Sequence, residues 1–173
     1  DLGMATPYPN VSGADVNGGD LIILPTGDND EDELWVANRN SAEFINVDVP
    51  GESFDVAAGE MLGASVLADG NILVANGDNG TTLDVYAPLT GTFVESFDIG
   101  IELFWGDLAS RCFDGQDAEE CEDFEIFLSA NGGQGGDVYR VTLDGTSANL
   151  DPISALQGLG DPHLAYDENL GLL

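Results

Sequence analysis

DGNILVANGDNGTTLDVYAPLTGTFVESF, residues 69–97, carries most of the fold information in this chain. Asp69-Gly70 is a tight-turn pair, because Gly takes a positive φ without a Cβ penalty. Ile72-Leu73-Val74-Ala75-Asn76 is a short apolar run of strand-forming residues ending in Ala-Asn. Leu83-Asp84-Val85-Tyr86 alternates as a second strand, Thr90-Gly91 turns the chain, and Phe93 to Asp98 forms a third. Ala64-Ser65-Val66-Leu67 precedes them as the first strand of the unit.

The unit recurs. Leu34-Trp35-Val36-Ala37-Asn38 and Phe127-Leu128-Ser129-Ala130-Asn131 repeat the Ala-Asn strand, with the three Asn residues 38 and 55 residues apart. Phe44 to Val49 and Val138 to Val141 follow as second strands. Val49-Pro50-Gly51 and Leu143-Asp144-Gly145 supply the turns. Ser53 to Val56 is a third strand, and Ala148-Asn149-Leu150 is only a hint of one. Leu21-Ile22-Ile23-Leu24 reads as a first strand buried on both faces. Phe104 to Leu108 takes that place in the third unit, and Pro162 to Tyr166 opens a fourth. The expected organisation is an N-terminal extended segment, 1–19, and a repeat domain, 20–173, with units at about 20–58, 62–99, 103–154 and a partial one at 160–173. No convincing helix interrupts them.

The segment at 69–97 resembles β-propeller repeats of the NHL and YVTN types. The resemblance implies an all-β fold of four-stranded antiparallel blades: a partial propeller of three blades plus the first strand of a fourth. A propeller ring takes about 4–8 blades, so the ring is incomplete. Gly171-Leu172-Leu173 reads like the start of a further strand. The remainder is expected from additional blades or from other protein subunits. On this reading the chain is an extracellular, non-enzymatic binding or assembly module. The alternatives are a metal-dependent propeller enzyme, a lyase or lactonase-like hydrolase, seen in part, and a structural subunit of an extracellular polymer.

Charge narrows the field. The 173 residues include 33 Asp+Glu against 3 Lys+Arg, a formal charge of −30, with a hydrophobic fraction of 43%. That fraction supports a core, so the acidity does not mean disorder. Nucleic acid is excluded because phosphate binding needs clustered cations. An anionic membrane surface is excluded for the same reason, and no apolar run reaches the ~20 residues of a membrane span. Carboxylates spread along the whole chain suit hydration in a saline, halophilic milieu.

Local acidic peaks are calcium candidates, since calcium takes oxygen ligands. Asp28, Asp30 and Asp32 alternate as at the start of a calcium loop, although Glu33 and Arg39 stand where Gly and Glu are needed. Asp114, Asp117 and Glu119 form a second candidate set between Cys112 and Cys121, whose spacing suits a local disulfide in an oxidising compartment. Asn10 and Asn79 stand in N-x-S/T triplets, glycosylation acceptors of secreted proteins. The chain begins at Asp1 and reads like a mature product, so the expected location is secreted or cell-surface.

His163 is the single histidine. In the propeller enzymes that the repeat resembles, a Pro-His pair at the start of an inner strand lines the central channel, and Pro162-His163 matches that position. One histidine cannot build a three-His zinc site. No G-x-S-x-G, H-E-x-x-H or phosphate loop occurs. Gly132 to Gly136 lies between strands rather than before a helix. Trp35 and Trp105 read as packing residues. No catalytic residue or organic cofactor is expected.

Overall fold

Successive side chains of a strand face opposite sides, so a strand with Ile72, Leu73, Val74 and Ala75 in sequence must be covered on both faces. It is: all four are fully buried. Leu73 and Ala75 enter one apolar cluster, Ile72 and Val74 a second.

The structure is a computed structural model, and it describes residues 20–25, 32–77, 80–104, 106–112, 124–130, 137–156 and 164. Among them the elements are β1 (Asp20–Pro25), β2 (Asp32–Asn38), β3 (Glu43–Asn46), β4 (Ser53–Asp55), β5 (Met61–Val66), β6 (Ile72–Asn76), β7 (Thr82–Tyr86), β8 (Phe93–Asp98), β9 (Gly106–Cys112), β10 (Phe124–Ala130), β11 (Asp137–Asp144) and β12 (Ser147–Pro152). One 3₁₀ turn follows at Ser154–Leu156. The all-β expectation is borne out. Gly51, Gly91 and Gly145 all have positive φ, at 84°, 61° and 60°, as their turns require.

The sheet topology overturns the partial propeller. β1 to β4 form a separate open sheet in sequence order. β5 to β12 form one eight-stranded sheet, in the order β5-β6-β7-β8-β12-β11-β10-β9. Its two antiparallel halves meet where β8 and β12 pair in parallel at Asp98 and Ser147. The Asp98 amide also donates to the Thr146 carbonyl at 2.9 Å. At the other end the outer strands β5 and β9 approach each other. Ser65 donates its hydroxyl to Ser110 Oγ at 2.7 Å, and Ser110 donates to the Val66 carbonyl at 2.9 Å. The result is a flattened, nearly closed barrel rather than a series of separate blades. The resemblance failed for a physical reason. A four-stranded meander has the same residue pattern whether it stands alone or joins a larger sheet, and the joining bonds at Asp98, Thr146 and Ser147 are backbone bonds without a composition signal. The expectation of additional blades or partner subunits completing a ring falls with the ring.

Two cores hold the layers. Leu73, Leu83, Val85, Phe97, Leu108, Leu128 and their neighbours fill the barrel between its halves. The second cluster lies between the outer face of β5–β7 and the open sheet, where Trp35, Phe44 and Phe54 meet Met61, Ile72, Val74 and Tyr86. Phe44 and Phe54 stack at 5.0 Å, and Trp35 tilts against Phe54 at 5.2 Å. Trp35 is thus a packing residue as expected, while Trp105 lies outside the described residues.

Two strand readings needed revision. β1 is one-sided: Ile22 and Leu24 are buried, but Leu21 and Ile23 are 61% and 57% exposed. β12, barely visible in the sequence, pairs with β11 over all six of its residues. Its burial pattern explains the weak signal, since Ala148 alone is buried there.

Gly63 sets the distance at which β5 meets β9. A Cβ at that position would lie 2.6 Å from the Leu108 amide nitrogen and 2.7 Å from Asp107 Cα, both backbone atoms. Gly63→Ala is expected to cost about 1–3 kcal/mol through overpacking, read as a lowered urea midpoint; an unchanged midpoint would show that β5 and β9 do not meet this closely. Phe44→Ala is expected to cost about 3–5 kcal/mol by the same measurement.

Candidate functional site

The first strands of the repeated units, β1, β5 and β9, converge at one place. Asp20 opens β1 and Asp107 is the second residue of β9. Asp20 Oδ2 accepts the Ala64 amide of β5 at 2.9 Å, and Oδ1 accepts the Leu21 amide at 2.8 Å. Asp107 Oδ2 accepts the Leu164 amide at 2.7 Å, and Oδ1 accepts the Leu108 amide at 2.9 Å. The two carboxyl groups lie close enough for the Asp107 charge to act on Asp20. Burial, first, and the adjacent Asp107 charge, second, push Asp20 from 3.8 up to about 8.

A second polar centre lies on β7. Asp84 is 7% exposed and accepts from Asn76 Nδ2 at 2.9 Å and from the Ser96 hydroxyl at 2.6 Å. Nearby Tyr86 is pushed up to about 12, by burial and then by the Asp84 charge. In the first unit Asn46 takes the corresponding place, eight residues after its Ala-Asn. Its amide donates to Glu33 at 2.6 Å and Glu52 at 3.0 Å, and its Oδ1 accepts the Asp48 and Val49 amides at 2.8 and 2.9 Å. These networks satisfy buried groups and tie the strands together.

All three arginines of the chain are ion-paired with glutamate. Arg39 pairs with Glu60, Arg111 with Glu125, and Arg140 with the same Glu125 at 2.8 Å. Arg111 also lies 5.1 Å from the Phe127 ring centroid. Among the described residues, every cationic side chain is thus in an ion pair.

The site residues expected from the sequence are not brought together by anything described. Asp28, Asp30, Asp114, Asp117, Glu119, Cys121, Asn10, Asn79 and His163 lie outside the described residues. Asp32 begins β2 opposite Pro25, and Cys112 ends β9 opposite Phe124, but their side chains are likewise outside. The disulfide and glycosylation readings therefore rest on sequence alone. Among the described residues, no group of three or more His, Cys, Asp or Glu could hold a metal ion. No helix there is long and apolar enough to cross a membrane.

Comparison with known proteins adds little. No protein-family profile matches the chain, and no curated protein matches it. Among solved structures, a hydrazine synthase of Kuenenia stuttgartiensis aligns at 12% identity and a TM-score of 0.49, over 80% of this chain and 36% of the other. The chain thus spans little more than a third of that protein, at a likeness too low to carry any functional conclusion. Nothing identifies the chain with the propeller-repeat family it resembled. The readings built on that ring, namely a propeller binding or assembly module, a propeller lyase or lactonase and a polymer subunit, have no structural basis.

The sequence reading missed Asp20, Asp107 and Asp84. A signal existed for the first two. Asp20-Leu21 and Asp107-Leu108 are the same dipeptide at the same place in the first and third units, and Gly63-Ala64 replaces it in the second. Asp84→Ala is expected to cost about 1–3 kcal/mol by removing the acceptor of the hydrogen bonds from Asn76 and Ser96. The loss should appear in chemical denaturation, while Glu95→Ala, at an exposed position of β8, serves as the control.

Proposed function

We propose that this chain is a calcium-binding all-β domain that works outside the cytoplasm, at a cell surface or in a saline medium. The supporting observation is the fate of its positive charge. Every arginine is taken up by a glutamate within the fold, so the excess of 30 negative charges has no internal counter-charge. Counterions must come from solution, and clustered carboxylate oxygens favour a hard divalent cation over sodium. On sequence grounds the ligands are Asp28, Asp30 and Asp32 in one loop and Asp114, Asp117 and Glu119 in the other. The acidic loop bracketed by Cys112 and Cys121 suits an oxidising compartment, as do the acceptor triplets at Asn10 and Asn79.

Thermal melting in calcium chloride and in sodium chloride of equal ionic strength tests this. Screening acts equally in both series. A bound cation adds stability by mass action, about 2.7 kcal/mol at a hundredfold excess over Kd. Calcium is expected to raise Tm beyond sodium, and the triple variant D28N/D30N/D32N to lose part of that excess. Coincident curves for the two salts would reject the proposal.

A further inference from the structure

In an Asp-Gly sequence the aspartate closes readily on its own main chain, because glycine sets no Cβ beside the attacking amide nitrogen. Two such pairs lie among the described residues, Asp69-Gly70 and Asp144-Gly145, and the fold treats them differently. Asp69 Oδ1 accepts the Asn71 amide at 3.0 Å, and Oδ2 accepts from Asn71 Nδ2 at 2.8 Å. The Gly70 amide donates to the Leu67 carbonyl at 2.9 Å. Both reacting groups of that pair are therefore held in other bonds. Asn76-Gly77 is held likewise: Asn76 Nδ2 donates to Asp84 at 2.9 Å, and the Gly77 amide donates to the Glu60 carbonyl at 2.7 Å.

Asp144-Gly145 has neither restraint. Asp144 ends β11 opposite Ser147, and only Gly145 and Thr146 make the turn into β12. Asp144 and Gly145 are exposed, Gly145 has a φ of 60°, and a Cβ at Gly145 would meet nothing within 4 Å. Among the described residues, neither the Asp144 carboxyl nor the Gly145 amide has a hydrogen-bond partner. The turn also abuts the join between the barrel halves. The Thr146 carbonyl accepts the Asp98 amide at 2.9 Å, and Ser147 pairs with Asp98.

We propose that Asp144-Gly145 is a site of spontaneous isoaspartate formation, and that its conversion loosens the seam between β8 and β12. The Gly145 nitrogen attacks Cγ of the protonated Asp144 carboxyl. A C–N bond forms, and the carboxyl hydroxyl leaves with the amide hydrogen as water. Water then opens the five-membered imide. When the bond between the Asp144 main-chain carbonyl carbon and the Gly145 nitrogen breaks, the chain runs through Cβ and Cγ instead. The former main-chain carbonyl becomes a free carboxylate. Water is the one co-reactant, no electron is transferred, and mass and net charge are unchanged. The product carries an extra main-chain methylene at the last ladder position before the turn, which moves Thr146 and Ser147 out of register with Asp98.

The test is to age the intact protein at mildly acidic pH and digest it with trypsin. Cleavage after Arg39, Arg111 and Arg140 puts Asp144-Gly145 in the peptide 141–173 and Asp69-Gly70 in the peptide 40–111. Electron-transfer fragmentation places each isoaspartate, and an unchanged mass separates it from the product of Asn deamidation. Isoaspartate is expected to accumulate at Asp144 and to be several-fold lower at Asp69. No conversion at Asp144, or equal conversion at Asp69, would overturn the site. In hydrogen exchange of the aged protein, the Asp98 amide should show a fast-exchanging fraction equal to the converted fraction. The Ile99 amide, which donates to the Thr81 carbonyl at 2.8 Å, should keep its protection. Asp144→Glu, whose longer side chain disfavours ring closure, should show no fast fraction at Asp98 after the same ageing. Uniform protection of Asp98 in converted protein, or an equal fast fraction in Asp144→Glu, would disprove the link to the seam.

Discussion

Burial of β6 and β7 on both faces is the constraint on which the rest of the fold depends. Leu73, Ala75, Leu83 and Val85 need one partner layer, and Ile72, Val74 and Tyr86 need another. The far half of the barrel supplies the first and the open sheet the second. At about 25 cal/mol for each Å² of apolar surface removed from water, neither layer could be lost without leaving a wide apolar face in solvent. The charge excess has to be accommodated around this framework. Its carboxylates are tolerated inside only where hydrogen-bond donors meet them, as Asn76 and Ser96 meet Asp84.

Much of the local architecture was legible because strands and turns leave direct chemical traces. The run at 72–76, the alternation at 83–86 and the turn glycines Gly91 and Gly145 all correspond to observed elements. What was not legible was how the meanders join. Strand order across β8 and β12 depends on backbone hydrogen bonds at Asp98, Thr146 and Ser147. Any residue with a free amide and carbonyl can make them. The exposed face of β1 was missed for a related reason: four apolar residues in a row do not say which faces are covered, and Leu21 and Ile23 stay open while Ile22 and Leu24 do not.

The candidate site was less legible than the fold. Acidic clusters in loops drew attention because many carboxylates lie close together in sequence. Asp20 and Asp107, by contrast, stand 87 positions apart, each solitary in its own neighbourhood. Only alignment of the units with one another would have placed them together. Solitary acids at strand starts in a repeated unit are therefore as informative as dense acidic loops, because the fold can bury one beside the charge of another.

The two seams of the barrel differ from its interior ladders. β10 and β9 are hydrogen-bonded over seven residues, whereas β8 and β12 share a single paired position and β5 and β9 meet through serine hydroxyls. Mechanically the barrel is two stiff plates joined along compliant hinges. Pulled across the seams, it should yield there first, with each plate keeping its own ladder intact. Its cooperativity then comes from the leucine, valine and phenylalanine side chains between the plates rather than from continuous backbone pairing around the circumference.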